Sequence, residues 1–454
     1  MHRFNATALL CLLAATAAAA DPAGVGPAAP GAYLIRNVRI FDGRNELATN
    51  GEVLVVGDRI ESVSRQALEV PAGLRPVLID GGGRLLTPGF IDAHVHMSMV
   101  LTSQELQDSD PVYVAAIELR GAEQALLRGF TTQRDTGGAV MGLKRAIDAG
   151  YAVGPRIYPS GATLSQTSGH GDDRHYTDLH RRWGGTLSFA ERQGATVIAD
   201  GVPEVLAAAR EQLRHGAVQI KVMASGGAAS EFDPLYVTEY TLDELKAAVD
   251  VAASFGTYVT VHSYNSQSTR RAIEAGARCI EHGHLIDEPT MRLLADRGVY
   301  LSTNVVVYEQ PPPGITATQR VKFDQVRDAT DAMMKLAKKY HVKIGFGTDL
   351  INGLEMQARQ NREFTLRSRW FSPLEILRQA TSGNAELLAM SGPRNPYPGK
   401  LGVIEPGAYA DLLLINGDAL ADISILEHPD TALALIMKDG RIYKDTRAPA
   451  GSVP

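Results

Sequence analysis

Residues 87–96 read Thr-Pro-Gly-Phe-Ile-Asp-Ala-His-Val-His, an apolar run that ends in two histidines at spacing two. Side chains alternate across a β-strand with period two, so the imidazoles of His94 and His96 point to the same side of a strand end. Two imidazoles in that arrangement can bind one metal ion, but a polar strand end without a metal has the same pattern. The pair predicts a metal site only if further ligands follow.

Further short apolar runs also carry a polar side chain in the strand or at its end. They are residues 218–224 with Lys221, 258–263 with His262, 278–283 with His282 and 342–349 with Asp349. Near-continuous apolar runs of this length are typical of parallel strands that are covered on both faces. A helical pattern at 241–255 lies between two of them and opens with a capping box at Thr241 and Glu244.

Strands and helices that alternate in this way predict parallel βα units. A chain of 454 residues is long enough to close such units into a (β/α)8 TIM-like barrel and to add a small second domain. Catalytic groups in that fold lie at the carboxyl ends of the strands, where all the candidate ligands fall. Residues 32–88 and 397–447 have β-type patterns, so we expect one composite β-sandwich from both chain ends and a barrel at 89–396.

Composition and the N-terminus restrict the class of protein further. With 44% hydrophobic residues and a net charge of −6, the chain has an ordinary globular composition and no basis for nucleic-acid binding. A basic start, an apolar stretch and Ala-x-Ala before Asp21 predict a signal peptide at 1–20, followed by a flexible tail at 21–31. We therefore expect a secreted or periplasmic protein without membrane attachment after cleavage. Cys279 would then be the single cysteine, placed in a core strand.

Eight segments of the chain, in order, resemble motifs of the metal-dependent amidohydrolase superfamily. They are residues 88–96, Thr-Thr-Gln-Arg-Asp-Thr-Gly-Gly from 131, Ser-Gly-His-Gly-Asp from 168, the strands of Lys221 and His262, Ile-Glu-His-Gly from 280, Gly-Thr-Asp from 347 and Glu-Pro-Gly-Ala-Tyr-Ala-Asp-Leu from 405. The chain resembles the binuclear branch with a carboxylated lysine, and within it the imidazolonepropionase-like and Xaa-Pro dipeptidase-type enzymes. The likeness extends to bacterial amidohydrolases that cleave the amide of ochratoxin A.

The resemblance implies two divalent metal ions, and imidazole and carboxylate ligands suit zinc. Carried over position by position, it gives His94, His96 and Asp349 to the first metal and His262 and His282 to the second. Lys221 would bridge both as N6-carboxylysine, because burial favours the neutral amine that forms a carbamate. Asp349 would also act as general base while a metal-bridging hydroxide attacks the amide.

Three of these assignments have alternatives. Lys221 fits a structural lysine paired with a carboxylate, and Asp349 fits a helix N-cap. His284 is a rival to His282 as a ligand. Arg134 and Asp135 are expected to form a structural pair at a strand end, with binding of a substrate carboxylate by Arg134 as the alternative.

The resemblance also implies an enzyme that hydrolyses the amide or peptide bond of a dipeptide or N-acyl amino acid, such as ochratoxin A to ochratoxin alpha and phenylalanine. His170 matches the position that polarises the substrate carbonyl in similar enzymes, and we expect substrate contacts from Tyr240, Tyr236 and Arg174. Arg174 lies in an insertion at 169–185 that should overhang the barrel mouth. The alternative functions are a cyclic-amide or lactone hydrolase and, more distantly, a non-catalytic binding protein. A homo-oligomer is also implied.

Overall fold

The computed structural model describes residues 31–312 and 314–447. The predicted signal peptide and all of the predicted tail except residue 31 lie outside these residues. Within the described part of the chain, no helix combines the length and the apolar character needed to cross a membrane.

The strands alternate with helices through the middle of the chain. The strands are β1 (Ala32–Phe41), β2 (Glu46–Val56), β3 (Arg59–Ser64), β4 (Val77–Asp80), β5 (Leu85–Pro88), β6 (Phe90–Val95), β7 (Phe130–Asp135), β8 (Arg156–Pro159), β9 (Thr163–Ser165), β10 (Thr196–Ile198), β11 (Ile220–Met223), β12 (Val259–Asn265), β13 (Cys279–Leu285), β14 (Tyr300–Thr303), β15 (Ile344–Phe346), β16 (Leu412–Ile415), β17 (Leu433–Lys438) and β18 (Arg441–Asp445). The helices are α1 (Ser103–Gln107), α2 (Pro111–Leu127), α3 (Met141–Asp148), α4 (Phe189–Gln193), α5 (Val202–His215), α6 (Leu242–Ser254), α7 (Ser266–Ala275), α8 (Glu288–Arg297), α9 (Val306–Glu309), α10 (Ala317–Lys339), α11 (Leu354–Gln357), α12 (Arg362–Arg367), α13 (Pro373–Arg378), α14 (Asn384–Ala389) and α15 (Pro429–Ala432).

The predicted helix at 241–255 is confirmed as α6. Thr241 is its N-cap, and the Thr241 and Glu244 side chains form the predicted capping box. These bonds satisfy backbone N–H groups that the first helical turn leaves without partners. Cys279 is fully buried in β13, as predicted for a core residue.

Two parallel sheets carry the candidate ligands. One contains β6, β7 and β8, and the other has the order β10-β9-β11-β12-β13-β14-β15. At one junction the backbone N–H of Val218 donates to Pro159 O at 2.9 Å, and at the other the N–H of Asp349 donates to His94 O at 2.8 Å. The Asn384 side-chain amide also donates to Ile91 O and Phe346 O, which joins β6 to β15. The molecule is therefore an α/β protein whose parallel sheets are linked on both sides.

Both chain ends contribute to a third sheet, ordered β18-β17-β16-β5-β1-β2-β3, with β4 paired to β1. Hydrogen bonds join the segments from both chain ends into one continuous sheet, and the sandwich packing stays a prediction. The sheet is continuous because β5 pairs parallel to β1 and antiparallel to β16 and so joins the two halves. The buried Arg156 side chain of β8 forms ion pairs with Asp411 and Asp439 and ties this sheet to the parallel strands. The domain limits given above stay predictions.

Candidate metal centre

The carboxyl ends of the parallel strands bring the candidate ligands together. His94 lies in β6, Lys221 in β11, His262 in β12 and His282 in β13, and all four are buried. Asp349 follows β15 by three residues and has a positive φ of 56°. The next helix begins after Gly353, so the interpretation of Asp349 as a helix N-cap is wrong.

Three histidine side chains lie close to the carboxylate of Asp349. Its Oδ1 lies 3.4 Å from His94 Nε2 and 3.3 Å from His96 Nε2, and its Oδ2 lies 3.8 Å from His282 Nδ1. One ligand atom each from His94, His282 and Asp349 lie within 4.8 Å of one another, which is compact enough to hold a metal ion.

His262 and Lys221 complete the group. The His262 ring centroid is 4.5 Å from that of His282. Burial lowers the pKa of Lys221, and the negative charges of Glu281 and Asp349 oppose part of that shift. Lys221 therefore shares an electrostatic environment with the histidine cluster, and burial favours the neutral amine that carbamate formation requires.

The protonation states of the histidines and of Asp349 suit the binding of a metal cation. Burial lowers the pKa values of His262 and His282 well below the usual range, which favours neutral rings with a free lone pair. Burial would also lower the pKa of His96, but the contact with Asp349 raises it. Burial alone would raise the pKa of Asp349, but His94, His96 and His282 hold it well below its ordinary value. The buried His94 Nε2 has no hydrogen-bond partner, as expected for an atom that faces a metal. Neutral imidazoles, an anionic carboxylate and a lysine amine therefore fit divalent cations.

Glu281 orients the His94 ring through a hydrogen bond to its Nδ1 atom. Its Oε2 lies 2.8 Å from His94 Nδ1, and because an ionised carboxylate can only accept, the Nδ1–H donates and Nε2 keeps its lone pair. Arg134 donates to Glu281 Oε1 at 2.6 Å, to Ala93 O at 2.5 Å and to Ser302 Oγ at 3.1 Å. Carboxylates in this position fix the tautomer and direction of a metal-binding histidine.

Both interpretations of Arg134 are therefore wrong. The side chain is fully buried and pairs with Glu281. Asp135 instead accepts hydrogen bonds from the backbone N–H groups of Met97 and Gly137. A guanidinium enclosed in this way cannot reach a substrate carboxylate.

His170 lies beside the histidine cluster. Its ring stacks on His262 with a centroid distance of 4.1 Å and an interplanar angle of 19°. Its Nδ1 lies 2.7 Å from Ser230 Oγ and 3.3 Å from Asp233 Oδ2. Burial would raise the pKa of Asp233, but the contact with His170 and neighbouring bonds hold it below its usual value. Sequence reasoning missed Ser230 and Asp233, which lie about 60 positions away in the loop after β11.

Among the described residues, no hydrogen bond, ion pair or ring contact joins the other three predicted substrate residues to the histidine cluster. Tyr240 is buried, and burial followed by the charges of Asp200 and Glu244 raises the pKa of its hydroxyl. Tyr236 is 79% exposed. Arg174 forms a two-pronged bond to Asp172, from Nε at 2.8 Å and from Nη2 at 2.5 Å.

Two tyrosines and a further histidine, His284, border the cluster, and sequence reasoning missed the tyrosines. Tyr264 stacks on His282 at 5.0 Å. The Tyr308 hydroxyl lies 3.3 Å from His282 Nδ1 and 2.5 Å from the Tyr264 hydroxyl. His284 donates from Nε2 to Asn304 O at 3.0 Å, and its ring centroid is 6.5 Å from that of His282.

Comparisons with known proteins agree with this geometry. The model of the amidohydrolase family matches residues 85–444. Ochratoxinase of Aspergillus niger is 31% identical over 418 residues, which cover 86% of this chain and 82% of the relative.

Solved structures of similar enzymes have the same fold. A prolidase complexed with N-methylphosphonate-L-proline has a TM-score of 0.84 and 34% identity, covering 91% of this chain and 100% of the other. A Xaa-Pro dipeptidase with bound methionine has a TM-score of 0.78 and 27% identity, covering 91% and 100%. These neighbours indicate a TIM-barrel-like α/β fold, and the family match, the relatives and the His/Asp cluster together show that the chain belongs to the amidohydrolase family.

Proposed function

We propose that the chain is a binuclear metal-dependent hydrolase of the amide or peptide bond in dipeptides or N-acyl amino acids. The observation that carries the proposal is the convergence of three histidines on the buried Asp349 carboxylate, with Lys221 in the same electrostatic environment. The similarity to a prolidase, a Xaa-Pro dipeptidase and an ochratoxinase supports amide and peptide substrates.

Six residues would hold the two cations, for which we propose zinc. His94, His96 and Asp349 would bind the first, His262 and His282 the second, and Lys221 would bridge both after reaction of its neutral amine with carbon dioxide. When bound, the cations supply Lewis acidity and make water a nucleophile near neutral pH.

The remaining steps belong to side chains of the chain itself. Asp349 is held in its anionic form, so it can accept the proton of the attacking water and deliver it to the leaving amine. The Asp233 carboxylate accepts from His170 Nδ1, so Nε2 can donate to the substrate carbonyl when both ring nitrogens carry a proton. The stacked His262 ring fixes the plane in which His170 can make this bond.

Three broader proposals accompany the activity. We propose that the two parallel sheets close into one (β/α)8 barrel, supported by the bonds Val218–Pro159 and Asp349–His94 across the junctions. We also propose that the protein is exported, on the basis of the sequence of residues 1–20, and this is tested by sequencing the mature N-terminus.

We further propose that the protein self-associates. Two apolar side chains of α2, Val112 and Tyr113, are exposed and support this proposal, which is tested by light scattering.

The activity is tested with purified protein loaded with zinc. Initial rates are measured on Xaa-Pro, Xaa-Phe, Xaa-Arg and Xaa-Lys dipeptides, N-acyl amino acids, ochratoxin A and cyclic amides. We expect two metal ions per chain, hydrolysis of one class of linear amide, loss of activity with a chelator and recovery on adding metal. Full activity after chelation, or protein that binds no metal, contradicts the proposal.

A further inference from the structure

Lys322 is a buried lysine of α10 that binds the loop between β11 and α6. The residue is 6% exposed, and its Nζ donates to Ser230 O at 2.6 Å and to Asp233 O at 3.3 Å. Burial lowers the pKa of Lys322, and the negative charges of Asp233 and Glu231 oppose that shift. A lysine is almost never buried unless it is paired, so these contacts account for its position.

The two residues that Lys322 binds through their backbone oxygens are also the two that contact the His170 ring. Ser230 Oγ lies 2.7 Å and Asp233 Oδ2 lies 3.3 Å from His170 Nδ1. Within the described part of the chain, these are the hydrogen-bond contacts of the ring. The direction of the His170 ring therefore depends on two side chains whose backbone is held by one lysine.

The loop of residues 225–238, here called the 225–238 loop, lies directly against the His170 ring. Its two ends, Ser225 and Thr238, are joined by an antiparallel bridge. A Cβ atom at Gly227 would lie 2.0 Å from His170 Cε1 and Nδ1, so only glycine leaves room for the ring at this point. A shift of the loop must therefore be transmitted to the ring.

One side of the first turns of α10 binds the 225–238 loop through three residues at a spacing of three. Thr316 Oγ1 donates to Glu231 Oε2 at 2.9 Å, and Gln319 Nε2 donates to Ala229 O at 2.6 Å. Lys322 is the third, because residues three apart lie on the same face of a helix. Of the three, Lys322 is the buried one and the one that binds both partners of the His170 ring.

Lys322 also provides a positive charge beside the Asp233 carboxylate. Asp233 is 1% exposed, and its Oδ1 has no hydrogen-bond partner in the described structure but lies 4.0 Å from Lys322 Nζ. Burial would raise the pKa of Asp233, but the contacts with His170 and Ser230 and the charge of Lys322 hold it below its usual value. An ionised carboxylate can only accept, so Asp233 favours a proton on His170 Nδ1.

We propose that Lys322 is a positioning residue that, through Ser230 and Asp233, holds His170 in the place from which it meets the substrate carbonyl. The proposal rests on the proposed function in giving His170 this contact with substrate. The His170 side chain is 17% exposed, whereas that of Lys322 is buried, so Lys322 acts through His170.

The first test is a double-mutant cycle between Lys322→Met and His170→Asn, with rates measured at saturating zinc on the linear amide that the wild type hydrolyses fastest. Methionine fills much of the volume of lysine but has neither its charge nor its donors. We expect Lys322→Met to lower kcat about tenfold or more while KM stays within about threefold, because a misplaced His170 loses mainly transition-state stabilisation.

The background variant decides whether Lys322 acts through His170. In His170→Asn, the further change Lys322→Met should alter kcat by less than about twofold. A fall by the same factor in both backgrounds would show a role independent of His170 and would overturn the proposal. If Lys322→Met is insoluble, Lys322→Gln, which keeps an amide donor on a shorter stem, is taken through the same cycle.

Lys338 provides a matched control on the same helix. Its Nζ also donates to a backbone oxygen, Trp370 O at 2.7 Å, which lies outside the 225–238 loop. Lys338→Met removes the same atoms as Lys322→Met and should leave kcat within about twofold of the wild type. An equal loss of kcat in both variants would assign the effect to α10 as a whole and overturn the proposal.

The second test needs no activity and compares crystal structures of the zinc-loaded wild type and Lys322→Met. We expect the metal content to be unchanged and the His170 ring to lose at least one of its contacts with Ser230 and Asp233, as a distance beyond about 3.5 Å. A ring that keeps both contacts in Lys322→Met overturns the proposal. If the ring is displaced but the wild type hydrolyses no linear amide, the proposed function fails and the positioning of His170 by Lys322 stands.

Discussion

His94 Nδ1 and Glu281 Oε2 lie 2.8 Å apart although the two residues are separated by 187 positions in the chain. Both side chains are buried, and Arg134 fixes Glu281 while also bonding to the backbone of Ala93, next to His94. The direction of one proposed metal ligand therefore depends on a buried ion pair that does not itself touch the metal.

Glu281→Gln should weaken metal binding. The amide can no longer act as a charged acceptor for the His94 N–H, and loss of such a partner costs about 10–100-fold in metal affinity. The affinity is measured by competition with a chromogenic zinc chelator. The matched control is Glu363→Gln, because Glu363 forms an equally buried ion pair with Arg367 that does not involve His94. Equal loss of affinity in both variants would reduce Glu281 to a structural role.

Lys221→Gln should lower the number of bound zinc ions from two to one. The substitution removes the amine that would bridge the metals as a carbamate, and we expect kcat/KM to fall by about 10³-fold. Metal content is measured by elemental mass spectrometry. The carbamate carbon is observed by ¹³C NMR after growth with ¹³C-labelled bicarbonate. Lys322→Gln is the control for metal content and the carbamate signal, since Lys322 is also buried but donates to Ser230 O and Asp233 O. A carbamate signal that persists in Lys221→Gln would contradict the assignment.

Asp233→Asn should reduce kcat more than it changes KM. The carboxylate lies 3.3 Å from His170 Nδ1 and accepts from Gly227 N, so it positions the ring that would contact the reacting carbonyl. We expect a loss of about tenfold or more in kcat, measured by steady-state kinetics at saturating metal. Asp173→Asn changes another acid near His170 that bonds only to Ala190 N among its described contacts, and it serves as the control. An unchanged kcat in Asp233→Asn would show that the contact between Asp233 and His170 does not affect the chemical step.

Acid should destabilise the metal-free protein partly through Glu427. Partial burial raises the pKa of this carboxyl, but bonds from Thr365 and Arg362 hold it below its usual value. A folded-state pKa below the unfolded one gives stability that is present above the unfolded pKa, about 4.3, and is lost as the pH falls through the folded value. The free energy of unfolding should therefore decline below about pH 4.3. It is measured with urea on chelated protein, so that metal release does not contribute.

The substitution Glu427→Gln should make that acid dependence shallower. Glu355→Gln, at an exposed position in α11, should leave the wild-type slope in place. Identical slopes in the wild type and Glu427→Gln would show that this ion pair contributes nothing to acid stability.

The sequence predicted that the candidate ligands lie close together, because the rule involved is local; their role as ligands stays a prediction. Each candidate ligand lies in or just beyond a short apolar strand, and parallel strands gather their carboxyl ends at one side of the sheet. This rule alone was enough to expect His94, His262 and Asp349 near one another, although they lie far apart in the sequence. The helix α6 was also predictable, because its capping box lies within four residues.

The partners of the ligands were not predictable in the same way. Arg134 was assigned to Asp135, its neighbour in β7, but successive strand residues point to opposite sides and cannot meet face to face. Its actual partner, Glu281, is 147 positions away.

The position of β5 between β1 and β16 has a consequence for how the chain folds during synthesis. During synthesis β1 to β5 emerge first, but the edge of β5 stays open until β16 has left the ribosome more than 320 residues later. Closing so distant a pairing is slow, and an open strand edge promotes aggregation in the meantime. A chain truncated before residue 412 would keep every proposed metal ligand and still leave this edge exposed. The last tenth of the polypeptide, which contains no proposed ligand, would thus limit how much enzyme a cell accumulates.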